Sequence, residues 1–304
     1  MKINKKLKEY RYTTICILMS TLVSVDLKGG LGNQLFQIFT CIAHGLENNK
    51  DFMFSYTSEL KCGTVRSTYW ETFLSDLRRY TTYNNTTVSN ATLACLPNYC
   101  ETSFRYVKIP ENIIDRVLLV GYFQSYKYFE KSWGNISNMI KLAEQQVSVK
   151  NQYADLFTDK TTVSMHFRLG DYVKIQHCHP VMPYSYYYNA ICNMLMCKTH
   201  QVRVLYFCQQ LDNDTVSKII SRLQTSFSNV EFVKVDDAID DWKQMLIMSC
   251  CDHNIIANST YSWWAAYFNS NKNKHVCYPS TWFGPALTHN TDDLFPSDWQ
   301  KIYW

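Results

Sequence analysis

The sequence predicts an α/β fold in which two units, each built on a parallel sheet, follow one another along the chain. Its 304 residues are about twice a typical domain, and 46% apolar content excludes a disordered chain. Strand-like and helix-like segments alternate in both halves, which is typical of parallel sheets with helices on both faces. The alternation restarts after a break near residues 149–159. We therefore expect two sheets with a cleft between them.

The first half begins as a βαβ unit. A β-rich run ends at Leu27, a glycine turn follows, and an apolar-periodic helix extends from about Asn33 to Glu47. A second strand is predicted near residues 52–56. The stretch from about 61 to 110 is polar and has no strong period. The later predicted elements of this half are a buried strand at 117–123 and a helix at 133–146.

The second half opens with an alternating, β-branched strand at 161–167, which places Arg168 at its carboxyl end. The further predicted strands are 202–209, 230–235 and 254–257, and the predicted helices are 214–224, 241–251 and 261–269. We accordingly predict two domains, 22–150 and 151–304, preceded by an N-terminal segment, 1–21.

The N-terminal segment is a charged stretch followed by an apolar run from about residue 12 to 25. This layout is typical of a signal sequence or a short membrane anchor, although about 20 apolar residues are needed to span a bilayer. The end of the run is also needed as the first strand. Three interpretations of this run stay open: it anchors the protein in a membrane, it is cleaved, or it only forms a strand.

Cysteines and sequons slightly favour a Golgi or secretory-pathway membrane over the cytoplasm. Twelve cysteines are many for a cytosolic enzyme, and several Asn-X-Ser/Thr sequons, including Asn84, agree with a secretory lumen. Cys62, Cys95 and Cys100 lie in polar, loop-like sequence where disulfides could form. The cysteines in apolar runs, predicted as buried thiols, are Cys208, Cys250, Cys251 and Cys277.

The charge pattern excludes a nucleic-acid surface. The formal charge of +4 is small for this size, and no Lys/Arg block follows the N-terminal segment. A locally basic pocket for a phosphorylated ligand stays compatible with this composition.

The turn Gly29 to Asn33 joins the first strand to its helix. Its glycines allow main-chain N–H groups and a helix N-terminus to face an anionic or polar ligand, so Gly30, Gly32 and Asn33 are candidate binding residues. The alternative is that the glycines only fit a tight turn. The turn lacks the GxGxxG spacing of a dinucleotide fold and the Lys-Ser/Thr of a P-loop, which favours a different nucleotide ligand.

The segment HFRLGDY places His166, Arg168 and Asp171 at the carboxyl end of a strand, where ligands bind in open α/β sheets. Arg168 suits a pyrophosphate because its planar guanidinium can engage two oxygens and keeps its charge. The alternative is a structural ion pair between Arg168 and Asp171.

The segment NSTYSWW follows a short strand and opens a helix. Its hydroxyls, together with the N–H groups at the helix start, predict an anion site formed by Asn258, Ser259, Thr260 and Ser262. The alternative is a helix cap with Trp263 and Trp264 in the core. Both interpretations can hold at once.

Neither cluster of metal-ligand residue types predicts a metal. Asp212-Asn-Asp214 resembles the DxD of metal-dependent transferases but begins a helix, so we interpret it as a cap. The residues that could be read as a zinc set, at irregular spacing that favours a loop, are His177, His179, Cys192 and Cys197.

Four ordered motifs carry a family resemblance. They are GGLGNQLFQ from Gly29, GYFQSYKYF from Gly121, HFRLGDY from His166 and HNIIANSTYSWWAAYFN from His253, with YPSTWF and PSDWQKI near the end. In this order, spread along nearly the whole chain, they resemble the α-1,2-fucosyltransferase family.

The resemblance implies a GT-B fold of two Rossmann-like domains, an acceptor-side one first and a GDP-sugar-binding one second. It implies an inverting transfer of L-fucose from GDP-fucose to the 2-hydroxyl of a terminal β-galactoside, so the expected ligands are GDP-fucose and a galactose-terminated glycan, with no cofactor. Arg168 is expected on the leaving diphosphate. Asp171 and His166 are both candidates for the general base.

Two departures from the family pattern leave alternatives open. Leu169 stands where a second basic residue is usual, and Gln244 where an acidic one is usual, with Asp240 and Asp241 one turn earlier. A fucosyltransferase with a different acceptor, or a sugar-binding pseudoenzyme, are the other interpretations.

Overall fold

The chain forms two compact units, which divide after Lys141. The structure, a computed structural model, describes residues 21–61, 64–111, 114–195 and 201–304. Residues 1–20 of the predicted N-terminal segment, and with them the predicted signal or anchor, lie outside the described residues, as do Cys62 and Cys197. In the ranges just given, no helix is both long enough and apolar enough to cross a bilayer.

The first unit contains a parallel four-stranded sheet in the order β2-β1-β6-β5. Its strands are β1 (Leu22–Val25), β2 (Asp51–Phe52), β5 (Asn98–Cys100) and β6 (Arg116–Val120), and a separate antiparallel pair is formed by β3 (Glu59–Leu60) and β4 (Arg66–Ser67). Its helices are α1 (Leu31–Glu47), α2 (Asn90–Ala94) and α3 (Trp133–Met139), with a 3₁₀ helix at Ser75–Tyr80.

Helix α1 is the central helix of the first unit. It is buried over nearly its whole length because apolar residues occupy both of its packing faces. Phe39 packs against Phe129 and Trp133 with ring centroids 6.4 and 6.0 Å away. This packing joins α1 to the segment around α3, and the glycine turn that begins α1 follows the carboxyl end of β1.

The second unit contains a parallel six-stranded sheet in the order β12-β11-β10-β7-β8-β9. Its strands are β7 (Thr161–His166), β8 (Val202–Phe207), β9 (Val230–Lys234), β10 (His253–Ile255), β11 (Val276–Pro279) and β12 (Gln300–Ile302). Its helices are α4 (Leu142–Gln152), α5 (Tyr184–Leu195), α6 (Asn213–Ser226), α7 (Asp241–Ser249) and α8 (Thr260–Phe268). Counted from β7, the order is the Rossmann order 3-2-1-4-5-6.

A buried amide joins β7 to β10 at the centre of this sheet. Asn254, which is fully buried, donates to Ser164 Oγ at 2.8 Å and to the Met248 carbonyl at 2.9 Å. Its Oδ1 accepts from Asn269 Nδ2 at 2.8 Å. Because an unpaired buried amide is costly, these bonds specify which residues of the two strands face each other.

Trp263 and Trp264 lie in the core, as one of the two interpretations of their motif predicts. Both are 0% exposed, and Trp263 donates its indole N–H to the Leu294 carbonyl at 2.9 Å. Burial of two tryptophans on α8 anchors this helix against the sheet. The start of α8 is thereby held beside the carboxyl end of β10.

The predicted fold class is confirmed: the chain is α/β, with two Rossmann-like parallel-sheet units of the GT-B class. The single helix predicted at 133–146 is in fact two, α3 and α4, which Lys141 separates with a left-handed φ of 51°. Helix α4 belongs to the second unit because Gln146 donates to Ser249 Oγ and to the Phe268 carbonyl. The units therefore divide nine residues earlier than the predicted boundary at 150 and 151.

The cysteine predictions are partly wrong. Cys95 and Cys100 are exposed free thiols, so neither forms the disulfide that their polar surroundings suggested. Cys208, Cys251 and Cys277 are buried thiols as predicted, whereas Cys250 is half-buried. Burial raises the pKa of the thiol at Cys208 to about 11, which keeps it protonated and unreactive.

We expect Asn254→Ala to destabilise the second unit by at least about 2 kcal/mol, because Ser164, Met248 and Asn269 would each lose a buried partner. Urea unfolding followed by circular dichroism measures the change. Asn273→Ala, at an exposed asparagine in the loop before β11, is the matched control and should be near neutral. Equal stability of the two variants would contradict this role of Asn254.

Candidate functional site

The switch point of the second sheet lies between β7 and β10, where the strand order reverses. Ligands of open α/β sheets bind outside the carboxyl ends of the strands at such a point. HFRLGDY leaves β7 here and NSTYSWW leaves β10 here. The hydroxyl of Tyr172 in the first segment donates to the Asn258 carbonyl in the second at 3.3 Å. The fold thus brings the two predicted anion-binding segments together.

The loop after β7 is held by a carboxylate that the sequence did not single out for this role. The Gly170 N–H donates to both carboxylate oxygens of Asp212, at 3.2 and 3.1 Å. Asp212 is 8% exposed, and we predicted it only as a cap for α6. Its side chain makes no capping bond within the described residues and binds Gly170 instead. Asp212 therefore fixes the backbone between Arg168 and Asp171.

Gly170 is required by this geometry. Its φ of 40° is in the left-handed region, and a Cβ there would lie 2.4 Å from Gln209 Oε1. The 3₁₀ turn Gly170–Lys174 starts at this residue. The glycine thus allows the chain to leave the strand sharply and to direct Arg168 and Asp171 to the same side.

Arg168 and Asp171 form an ion pair, with Nη2 and Oδ1 2.5 Å apart. The structural ion pair, which was the alternative interpretation of this motif, is therefore present. The two side chains differ in exposure, 20% for Arg168 and 52% for Asp171. An ion pair on one side of a planar guanidinium leaves the rest of its donor fork for other oxygens, so the pair orients Arg168 without excluding an anion.

A stack of rings supports the guanidinium. The Arg168 Cζ lies 4.8 Å from the centroid of the Tyr172 ring, and the His179 ring stacks on Tyr172 with centroids 4.7 Å apart. Burial lowers the pKa of His179, the effect of Arg168 and His289 lowers it further, and Asp171 opposes them. His179, which the sequence suggested only as part of an unconvincing zinc set, thus helps to hold Tyr172.

His166 is a neutral imidazole beneath the site. Its ring is 7% exposed and lies 5.3 Å from the ring of Tyr261, centroid to centroid. Burial, and after it the charge of Arg168, lower the pKa of His166 to about 3. Its Nδ1 has no hydrogen-bond partner among the described residues.

The start of α8 brings the positive end of a helix dipole to the switch point. Ser259 is the N-cap residue, yet its hydroxyl makes no capping bond to any described residue, so the first-turn N–H groups are not satisfied by that side chain. Thr260 begins the helix beside it. Ser262 is different: it is fully buried and donates to the carbonyls of Ala257 and Ser259. The geometry gives Ser262 a role inside the turn instead of the predicted ligand contact.

Asn258 is also buried, at 1% exposure. Its Nδ2 donates to the carbonyls of Pro180 at 2.8 Å and Trp282 at 3.2 Å. Its Oδ1 has no partner within the described part of the chain. Asn258 therefore ties three segments together at the switch point, one of them the YPSTWF motif.

Leu169 and Gln244, which depart from the family pattern, both make structural contacts. Leu169 is 4% exposed and packs in the core cluster of the second unit, so this side chain is directed away from the surface that Arg168 reaches. Gln244 donates to the Ile239 carbonyl at 2.7 Å and closes the turn before α7. The carbonyl of Asp241, at the start of the same helix, accepts from the Tyr261 hydroxyl at 2.6 Å.

The predicted residues of the first unit lie at the carboxyl end of β1. Gly29 has a φ of 79°, Gly30 is the N-cap of α1 with open space where a Cβ would be, and Gly32 and Asn33 are in the first turn of α1. Two glutamines missed by the sequence reading brace this turn. Gln34 donates to the Gly29 carbonyl at 3.0 Å, and Gln37 accepts from the Lys28 N–H at 2.9 Å.

Within the described residues, no three His, Cys, Asp or Glu side chains are grouped as metal ligands would be. Asp214, the second acid of the DxD-like segment, is exposed on α6, whereas Asp212 faces the loop after β7. The Asp212 carboxylate binds the Gly170 N–H, whereas Asp214 is exposed, so the two do not form one metal-binding pair.

The chain has two Rossmann-like units, and the second directs a guanidinium and a helix N-terminus to its switch point. This organisation is that of a glycosyltransferase. The family model described as glycosyl transferase family 11 matches residues 97–303, and the chain belongs to that family.

Three curated proteins are similar to this chain. The chain is 30% identical to the O-antigen biosynthesis glycosyltransferase WbnK of Escherichia coli over 193 residues, 60% of each protein, so it spans less than two thirds of that relative. It is 23% identical to an alpha-1,2-colitosyltransferase of Escherichia coli, over 93% of this chain and 99% of the relative. It is 22% identical to the galactoside 2-alpha-L-fucosyltransferase of Caenorhabditis elegans, over 99% of this chain and 83% of the relative.

Burial of neutral His166 makes the protein less stable in acid. Between pH 6.5 and about 3 the unfolded chain binds a proton here that the folded chain does not. Stability therefore falls as the pH decreases through this window, by up to ~1.4 kcal/mol per pH unit for one proton. We expect His166→Gln to reduce the slope by one proton, measured by urea unfolding at a series of pH values.

His177→Gln, at an exposed histidine, is the control and should keep the wild-type slope. Buried His44, whose pKa is lowered to about 4, contributes equally to all three proteins. An unchanged slope in His166→Gln would show that His166 is not held neutral by the fold.

Proposed function

We propose that this protein is an inverting fucosyltransferase that moves L-fucose from GDP-fucose to the 2-hydroxyl of a terminal β-galactoside. The observation that carries the proposal is the meeting of Arg168 with the start of α8 at the switch point of the second sheet. Family membership and the names of two relatives, one a galactoside 2-fucosyltransferase, support the sugar and the linkage.

The leaving group dictates what the site must supply. Inverting transfer breaks the bond between the anomeric carbon and the β-phosphate oxygen, so negative charge grows on the diphosphate in the transition state. Fixed positive charge aimed at that oxygen lowers the barrier more than equal binding of substrate and transition state would. Arg168 supplies this charge as a fork of donors, and the N-terminus of α8 adds the positive end of its helix dipole.

Asp171 acts in this proposal by orienting Arg168. Its carboxylate is engaged by the guanidinium at 2.5 Å, which holds the planar group in one orientation. His166 is buried under Tyr261 and supports the site from below. Because the guanidinium and the helix start provide the positive charge, the proposed mechanism includes no metal ion.

We expect Arg168→Ala to lower transfer from radiolabelled GDP-fucose to a β-galactoside by about a hundredfold or more, the usual loss when a fixed transition-state donor is removed. Arg168→Lys should recover little, because an ammonium cannot engage two oxygens as a planar fork does. Arg222→Ala, at an exposed arginine of α6, is the control. Activity of Arg168→Ala within a few-fold of wild type would refute the role of Arg168.

Donor and acceptor identity need their own test. Colitose is the 3-deoxy analogue of fucose, and the colitosyltransferase relative makes GDP-colitose a reasonable second donor. Both donors are offered with a panel of galactosides, and the product linkage is read by NMR. Transfer of fucose to position 2 supports the proposal. Exclusive use of GDP-colitose would show that the transferred sugar is colitose and not fucose. Calorimetric GDP binding without transfer to any acceptor would instead indicate a pseudoenzyme.

Asp212 gives a second prediction because it positions the loop that carries Arg168. Asp212→Ala leaves the Gly170 N–H without its buried partner, which costs about 1–3 kcal/mol, and we expect kcat/KM for GDP-fucose to fall roughly tenfold or more. Asp214→Ala removes the neighbouring exposed carboxylate and should have little effect. If the two variants were equally active, the contact with Gly170 would have no part in donor use.

A further inference from the structure

The loop Gly121–Gln124 follows β6, a central strand of the first sheet. In the order β2-β1-β6-β5, the chain passes from β1 to β2 at one edge, crosses to β5 at the other edge and then enters β6 beside β1. The loop leaves the carboxyl end of β6, directly beside the glycine turn that leaves β1. Ligands of open α/β sheets bind outside the carboxyl ends of the strands.

Glu101 fixes the conformation of this loop. One of its carboxylate oxygens accepts from the Tyr122 N–H at 2.8 Å and the other from the Phe123 N–H at 3.0 Å. Phe123 has a left-handed φ of 52°, which a bulky residue adopts only when its surroundings enforce it. A Cβ on Gly121 would lie 2.4 Å from the Glu101 Cβ, so glycine is needed there.

The conformation turns two successive aromatic rings in opposite directions. Phe123 is 1% exposed and packs edge-on against Tyr128, with ring centroids 5.4 Å apart. Tyr122 is 42% exposed. The left-handed residue therefore buries one ring as an anchor and presents its neighbour to solvent at the carboxyl edge of the sheet.

Two glutamines join the loop to the glycine turn. Gln37 on α1 donates to the Gly121 carbonyl at 3.1 Å, and Gln124 donates to Asn33 Oδ1 at 3.0 Å. Gln37 and Gln124 are both buried, so these bonds are shielded from water. The loop and the turn form one fixed surface.

We propose that Tyr122 is an acceptor subsite, on which the apolar face of the terminal galactose ring stacks, and that Glu101 is the positioning residue for it. The inference rests on the proposed galactoside acceptor. A pyranose presents C–H groups on one face, and a rigid exposed ring buries them at little entropic cost because its backbone is already fixed. The hydroxyl of Tyr122 is not needed for stacking, which separates this role from a hydrogen-bonding one.

The first arm of the test uses Tyr122→Ala, Tyr122→Phe and, as a matched exposed tyrosine in the second unit, Tyr188→Ala. We expect Tyr122→Ala to raise the acceptor KM about tenfold, the effect of losing one stacked face, and to leave the donor KM and acceptor-free hydrolysis of GDP-fucose unchanged. Tyr122→Phe and Tyr188→Ala should stay within about twofold of wild type. An unchanged acceptor KM in Tyr122→Ala, or an equal loss in Tyr122→Phe, would overturn the subsite.

The second arm does not depend on turnover. Saturation-transfer NMR with methyl β-galactoside should show contact between its ring C–H protons and the wild-type protein, and loss of that contact in Tyr122→Ala. If the wild type used no GDP-fucose but bound the galactoside through Tyr122, the proposed function would fail and the subsite would stand. Binding that persists in Tyr122→Ala would remove the subsite whatever the reaction.

Glu101→Gln tests the positioning role. An amide N–H₂ would face one of the loop N–H groups, so the loop should loosen and the acceptor KM should rise with kcat changed much less. The double variant with Tyr122→Ala should be no worse than Tyr122→Ala alone, because both changes remove the same contact. A fall in kcat at unchanged acceptor KM would instead make Glu101 a catalytic group, and additive effects would make it merely structural.

Discussion

The buried hydrogen bond from Asn254 to Ser164 is the contact on which the rest of the second unit depends. It couples β10 to β7, and these two strands carry the polar segments from which the site is built. A slip of one residue would turn Asn254 out of the core and move Asn258 away from Tyr172. The geometry of the switch point is therefore set in the interior, by an amide and a hydroxyl that are shielded from solvent.

Both units use the same physical solution at the carboxyl ends of their central strands. In each, a glycine permits a sharp exit from a strand, and a carboxylate from the neighbouring strand's loop accepts main-chain N–H bonds: Asp212 for Gly170, and Glu101 for Tyr122 and Phe123. A carboxylate can receive two N–H groups, which short polar side chains cannot do as strongly. The candidate functional side chains are thus carried by loops whose main chain is held by a carboxylate.

Alternation of strands and helices was enough to predict the two parallel sheets, because the period of the apolar residues is local information. The same information located Arg168, Asp171 and Ser259 at strand ends. It could not find Asp212 or Glu101 as loop partners, since each binds a backbone group 42 or 21 residues away. The sequence also predicted that Ser262 contacts the ligand. Only the packing of α8 shows that this hydroxyl is directed inward.

The ion pair between Arg168 and Asp171 gives the guanidinium an internal counter-ion three residues along the chain. An anion that binds Arg168 must share the guanidinium with this carboxylate or displace it. Under the proposed function, a diphosphate carries more negative charge than a single phosphate and so competes better with one carboxylate. The ion pair would then act as a selectivity element that favours diphosphate ligands over small monoanions.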